Sequence, residues 1–161
     1  MQIYLLRHGI AEDSRAGLRD FDRALTSEGG EKLRRVLERA RAAGAEPGAI
    51  LSSPFRRALQ TAQLAAEVLR YSGKIVQTRA LTPDAPPAEA WGEIRDHGER
   101  PAILLASHEP LMSSLAAFLL DCPTLVVDMK KAALVRIDCE PSGAAPSGVL
   151  KWMLTPAVAG E

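Results

Sequence analysis

The chain has no surplus of charge: 20 Lys and Arg face 20 Asp and Glu in 161 residues. Without a basic excess there is no electrostatic footprint for nucleic acid, and no basic helix points to a membrane surface. No apolar run is long enough to cross a bilayer. The N-terminus enters an apolar strand directly, without the charged leader and long hydrophobic stretch of a signal peptide, so a cytoplasmic location is expected. Cysteine is scarce: Cys122 and Cys139 have no Cys or His neighbours at metal-ligand spacing and read as free thiols in a reducing compartment. No internal repeat and no second domain is visible. The length suits one domain, residues 1–161, around one sizeable core.

What is present begins at once. Ile3-Tyr4-Leu5-Leu6 reads as a buried strand of a parallel sheet, ending on Arg7-His8-Gly9. Taken alone, Arg7 and His8 also fit a turn with an ordinary ion pair. The charged stretch from Ile10 to Ala24 reads as a surface loop over the strand edge. Thr26 suits a helix N-cap, and Leu33, Val36, Leu37 and Ala40 repeat at helical spacing up to Gly44. Ala49-Ile50-Leu51 begins a second buried strand. Ser53 then reads as a cap, with Pro54 at the first position of a helix whose inner face is Ala58, Thr61, Ala62 and Ala65. Lys74 to Leu81 reads as a third strand, and a short helix through Trp91 and Ile94 follows. Ala102 to Ala106 is the clearest buried strand; it ends in Ser107-His108-Glu109-Pro110 before a helix through Leu111, Leu115 and Phe118. Ala132 to Cys139 and Val149 to Leu154 read as two closing strands. Strands alternating with helices predict a three-layer α/β/α sandwich, its central sheet mostly parallel with an antiparallel edge.

Three of these strands finish in polar chemistry at one sheet edge, where open α/β sheets bind ligands. The first supplies Arg7 and His8, the second leads to Ser53 and a helix opening on Arg56 and Arg57, and the fourth supplies Ser107 and His108. Cations in a first helical turn oppose the helix dipole, a cost that makes sense if an anion sits there. Two histidines and two or three arginines at one edge suit phosphoryl transfer through a covalent phosphohistidine. Neutral imidazole is a nucleophile near pH 7, and guanidinium forks match the charge spread over phosphoryl oxygens. No metal or cofactor is called for when arginine and histidine carry the positive charge.

The stretches Leu6-Arg7-His8-Gly9, Ser53-Pro54-Phe55-Arg56-Arg57-Ala58-Leu59-Gln60-Thr61-Ala62 and Ser107-His108-Glu109-Pro110 resemble the motifs of the histidine phosphatase superfamily, the phosphoglycerate mutase-like fold. The small size, Arg23-Ala24-Leu25-Thr26 and Ala80-Leu81-Thr82-Pro83 are most similar to the SixA phosphohistidine phosphatases. The resemblance implies that His8 is the nucleophile, that Arg7 and Arg57 bind the phosphoryl group, and that His108 completes the pocket. Arg56 is expected to be a solvated neighbour. The implied substrate is a protein phosphorylated on histidine, of the phosphotransfer type, with inorganic phosphate as product. Neither a nucleic acid nor a membrane is an expected partner.

Two features depart from larger members of the superfamily. The chain has no room for the insertions that cover their site, and its general acid is not identifiable among Glu12, Asp84 and Glu109. A phosphorylated imidazole tolerates that lack, because its second nitrogen can already be protonated; an alkoxide cannot leave without a proton. A small-molecule phosphatase or mutase of the same superfamily is the alternative. A pocket that binds phosphoprotein without turnover is a third, disfavoured because a binding module needs no nucleophile at His8.

Overall fold

The computed structural model describes residues 1–160. Six strands form one sheet in the order β3-β2-β4-β1-β5-β6. They are β1 (Gln2–Arg7), β2 (Ala49–Ser52), β3 (Ile75–Gln77), β4 (Ala102–Ser107), β5 (Leu134–Asp138) and β6 (Val149–Leu154). The pairs β1–β4, β2–β4 and β2–β3 are parallel, whereas β1–β5 and β5–β6 are antiparallel. The expected mostly parallel sheet with an antiparallel edge is what forms.

The alternation of side chains along a strand sends successive residues to opposite faces. Ile3 and Leu5 of β1 join Leu51, Ile103 and Leu105 on one face, packed on α3 (Pro87–Asp96) and α4 (Leu111–Leu119). Tyr4 and Leu6 join Ile50 and Leu104 on the other, packed on α1 (Ser27–Ala42) and α2 (Arg56–Val68). The result is a three-layer sandwich with two apolar seams. Each fully buried Leu or Ile stabilises it by roughly 1.5–3 kcal/mol before conformational entropy is counted. A short C-terminal helix, α5 (Pro156–Ala159), adds to the α1 side and has no counterpart in the sequence reading. No helix among the described residues is long and apolar enough to cross a membrane.

Local signals worked where chemistry enforces them. Thr26 Oγ1 accepts from Gly29 N at 3.0 Å and caps α1, and Gly44 closes its other end at φ +84°. Two expectations need correction. The third strand is only Ile75–Gln77, and Arg79–Leu81 coils into a 3₁₀ turn capped by Thr78. The second helix begins at Arg56 with Phe55 as its uncapped N-cap, so Pro54 is not its first residue. Ser53 Oγ accepts from Phe55 N at 3.3 Å, ahead of the helix, and is also hydrogen-bonded to His108 Nε2.

The helices after β1 and β4 leave toward opposite faces, α1 to one and α4 to the other. β1 and β4 are neighbours, with Arg7 registered beside Ser107. Such a switch point opens a crevice at the carboxyl ends of the strands, and both motif histidines follow those two ends.

Candidate active site

His8 is clamped through its backbone, its N–H donating to Ser107 O (2.9 Å) and its carbonyl accepting from Ala132 N (3.0 Å). Its side chain is 6% exposed. His8 Nδ1 lies 2.7 Å from Gly9 O. A carbonyl only accepts, so Nδ1 carries the proton and Nε2 keeps its lone pair. Arg57 Nε donates to that lone pair at 3.3 Å. Burial, opposed by the Gly9 bond and reinforced by Arg57 and Arg7, lowers the His8 pKa to about 4. The imidazole is therefore neutral near pH 7, with Nε2 unprotonated and accepting from the Arg57 guanidinium.

Gly9 is held tightly: its N–H donates to Thr61 Oγ1 (3.2 Å), which donates to Arg57 O (2.7 Å). A Cβ at Gly9 would lie 3.1 Å from Gly29 O, and one at Gly29 would lie 2.2 Å from Ile10 O. The first turn of α1 thus approaches the residues after His8 as closely as backbone allows.

His108 is 1% exposed, and its Nε2 is hydrogen-bonded to Ser53 Oγ at 2.8 Å. Its ring meets the His8 ring edge-on at 5.1 Å and the Phe55 ring at 5.0 Å. Burial first, then His8 and Arg57, lowers its pKa to about 2. Arg7 is fixed by Nη1 donating to Met129 O at 2.7 Å. Three buried side-chain polar atoms among the described residues have no partner, and two of them, Arg7 Nε and His108 Nδ1, belong to this cluster. The third, Trp91 Nε1, lies in the core on α3. Unpartnered buried polar groups are costly, roughly 1–3 kcal/mol each, so two in one cluster favour a polar ligand there.

Arg57 is buried and Arg56 exposed, although they are adjacent in the first turn of α2. Each nitrogen of the Arg57 guanidinium makes one hydrogen bond, which leaves a second N–H on each Nη. Nη1 donates to Asp20 O (2.7 Å) and Nη2 to Asp20 Oδ2 (3.2 Å), while Nε faces His8. Asp20 is also held by Arg23, whose Nη1 donates to Asp20 Oδ1 at 2.8 Å and whose Nε donates to Glu12 O at 2.6 Å. Arg23 and then Arg57 hold the Asp20 carboxyl below the usual carboxylate range against its burial. Sequence reasoning missed Asp20. It is one of seven charged residues in the 10–24 loop, and only the 3₁₀ turn Asp20–Asp22 brings it onto α2. Phe21 and Phe55 were missed too: their rings meet at a tilt of 52° with centroids 5.0 Å apart, and Phe55 lies under the Arg57 guanidinium at 5.1 Å.

The structure brings Arg7, His8, Arg57 and His108 together; it does not bring Glu12, Asp84 or Glu109 among them. Glu12 Oε2 accepts from Ala24 N (2.9 Å), and both Glu109 oxygens are bonded to Ser113 in the first turn of α4. Asp84 is exposed and lines a cleft on the Phe21 and Phe55 side of the cluster, with no hydrogen bond to His8, Arg57 or His108. No group of three or more His, Cys, Asp or Glu among the described residues is placed to hold a metal ion. The other histidine, His97, lines a cleft that shares no residue with the cluster.

Comparison with known proteins identifies the family. The profile of the histidine phosphatase superfamily (branch 1) matches residues 3–82. An uncharacterised protein of Picosynechococcus sp. (strain ATCC 27264 / PCC 7002 / PR-6) is 32% identical over 147 residues, covering 90% of this chain and 87% of that one. The chain belongs to the histidine phosphatase superfamily, and its fold is the phosphoglycerate mutase-like one. Within it, the chain is a homologue of the phosphohistidine phosphatase SixA of Escherichia coli (strain K12), 28% identical over 159 residues, with 97% of this chain and 94% of that one covered. The structure of a protein histidine phosphatase SixA complexed with tungstate superposes with a TM-score of 0.86 at 26% identity, covering 98% of each chain.

Proposed function

We propose that the protein is a phosphohistidine phosphatase acting on a phosphorylated histidine of another protein, through a phosphohistidine intermediate on His8. The observation that carries the reading is the state of His8: Nδ1–H is spent on Gly9 O, and the unprotonated Nε2 accepts only a long 3.3 Å hydrogen bond from Arg57, which an incoming phosphoryl group replaces as the partner of Arg57. Arg7 and Arg57 hold the phosphoryl oxygens, and His108 completes the pocket through Nδ1, which has no protein partner. The tungstate bound by a SixA homologue is a tetrahedral oxyanion of the same kind. A phosphoryl dianion offsets the charge of Arg7 and Arg57, both of which lower the proton affinity of His108. Its arrival therefore favours a protonated His108 that donates to an oxygen.

In the first step His8 Nε2 forms a bond to phosphorus as the phosphorus–nitrogen bond of the substrate breaks. The departing imidazole carries a proton on its other nitrogen already and leaves neutral, so no proton has to move. Water then attacks phosphorus, the bond to Nε2 breaks, and the water's protons stay on the released dihydrogen phosphate or pass to solvent. No metal takes part.

The surroundings favour a phosphoimidazole over an ester. Glu12 and Glu109 are committed to backbone and to Ser113, and Asp20 is held ionised between two arginines. An ester's alkoxide has no positioned acid, a lack worth about a hundredfold to ten-thousandfold in rate. Steady-state rates on a histidine-phosphorylated phosphotransfer protein, on nitrophenyl phosphate and on a sugar phosphate, with EDTA present, test the reading. The expected order is phosphoprotein first, nitrophenyl phosphate next and sugar phosphate last, with all activity lost in His8→Ala. Fast sugar phosphate hydrolysis with no phosphoprotein turnover would assign the chain to the small-molecule phosphatases instead.

A further inference from the structure

Arg7 has two neighbourhoods. One side of it belongs to the histidine cluster; the other lines a cleft of about 780 Å³ between α1, the 129–131 segment and α5. Among the described residues, every charged residue lining this cleft is basic: Arg7, Lys32, Arg35, Lys130 and Lys131. Ile10, Pro156 and Ala157 supply apolar surface between them. In a chain with equal numbers of acidic and basic residues, this is a local concentration of one sign. Glu28 and Asp128 answer Lys32 and Lys130 from outside the cleft, at 2.6 and 2.8 Å. Among the described residues, Arg35 and Lys131 make no ion pair, and Lys131 contributes to lowering the His8 pKa.

The core does not require this arrangement. The inward face of α1 is Leu33, Val36, Leu37 and Ala40, and Lys32 and Arg35, three apart on one face, pack nothing into it. Like charges gathered in one cleft repel, and an anion seated there offsets that cost. The charges are spread over three separate chain segments, and Lys130 and Lys131 are exposed on long flexible stems. That suits several carboxylates on an extended surface; one small phosphate is better served by convergent, buried donors.

We propose that this cleft docks an acidic segment of the phosphoprotein substrate, leading its phosphohistidine past Arg7 to His8. The proposal rests on the reading of the substrate as a phosphoprotein. It adds that the partner is chosen by carboxylates flanking its phosphohistidine.

The test is the double variant Lys32→Glu/Arg35→Glu, assayed on nitrophenyl phosphate and on a phosphotransfer protein phosphorylated on histidine and acidic around that site. Charge complementarity acts mainly on encounter. Phosphoprotein kcat/KM is expected to fall roughly tenfold or more, chiefly through KM and with a weakened salt dependence. Nitrophenyl phosphate hydrolysis is expected to stay within about twofold, which also shows that the variant is folded. A phosphoprotein whose flanking Asp and Glu are replaced by Lys should regain turnover with the double variant. Equal losses on both substrates, or no loss on the phosphoprotein, would overturn the docking role. A wild-type enzyme that hydrolyses nitrophenyl phosphate and ignores the phosphoprotein would overturn the underlying functional reading, and the docking role with it.

Discussion

Lowering the pH should unfold this protein through its two buried histidines before its carboxylates titrate. His8 and His108 are neutral in the native state, with pKa values of about 4 and about 2, against an ordinary value near 6.5. Below pH 6.5 the unfolded chain takes up a proton at each, and the folded chain does not. Stability contributed by the neutral imidazoles is therefore complete above pH 6.5 and is lost as pH falls toward the folded values. Each histidine contributes a slope of about 1.4 kcal/mol per pH unit, so the pair gives about 2.7. From pH 6.5 to pH 5 that amounts to roughly 3 kcal/mol, since each slope is only half developed at pH 6.5, and it is a large share of the 5–15 kcal/mol typical of a domain. Carboxylates of an unfolded chain titrate near pH 4, mostly below this window, so the histidines dominate it. Urea unfolding at half-unit steps from pH 7 to pH 5 measures the slope. His108→Gln should cut it by about half, and saturating orthophosphate should flatten it, because the anion raises the proton affinity of His108 in the native state. An unchanged slope in His108→Gln would show that this imidazole is not held neutral by burial.

Three further outcomes are expected. Arg57→Ala should lower kcat/KM by roughly a hundredfold or more, while Arg56→Ala, altering an exposed neighbour, should change it little; steady-state kinetics on nitrophenyl phosphate decides, and equal effects would defeat the assignment of Arg57. Asp20→Asn should tighten product inhibition by orthophosphate about two- to fivefold. The Asp20 side chain is 55% exposed, and releasing Arg57 from such a partner is worth about 0.5–1 kcal/mol; weaker inhibition would mean that Asp20 serves to hold Arg57 in place. Gly29→Ala should destabilise the fold by roughly 1–3 kcal/mol despite alanine's better helix propensity, because the added Cβ meets Ile10 backbone at 2.2 Å. Thermal unfolding tests it, and a rise in Tm would contradict the close approach.

Much of this protein could be read without coordinates. Strand runs such as Ile3–Leu6 and Ala102–Ala106 declare themselves by continuous burial, because a central parallel strand is covered on both faces. Thr26 and Gly44 mark the two ends of α1, because capping is local chemistry. Arg7, His8, Arg57 and His108 were legible because each lies at or just after a strand end, and neighbouring parallel strands deliver their ends to one edge. Local signals failed where a long-range partner outbid them. Ser53 looked like a helix cap, but the helix starts later, and its hydroxyl meets Phe55 N and His108, fifty-five residues away. Lys74–Leu81 looked like one strand, but only Ile75–Gln77 pairs with β2. Only tertiary structure selected Arg57 over Arg56 by contact, set the proton of His8 on Nδ1 through Gly9 O, and brought Asp20 onto Arg57. It also committed Glu12 to Ala24 N and Glu109 to Ser113, and it gathered the cations of α1 and the 130–131 segment around Arg7. The division has one physical reason. Hydrophobic period and capping act over a few residues and are written locally, whereas charge, proton position and hydrogen-bond partners depend on distances that exist only once the chain has closed on itself.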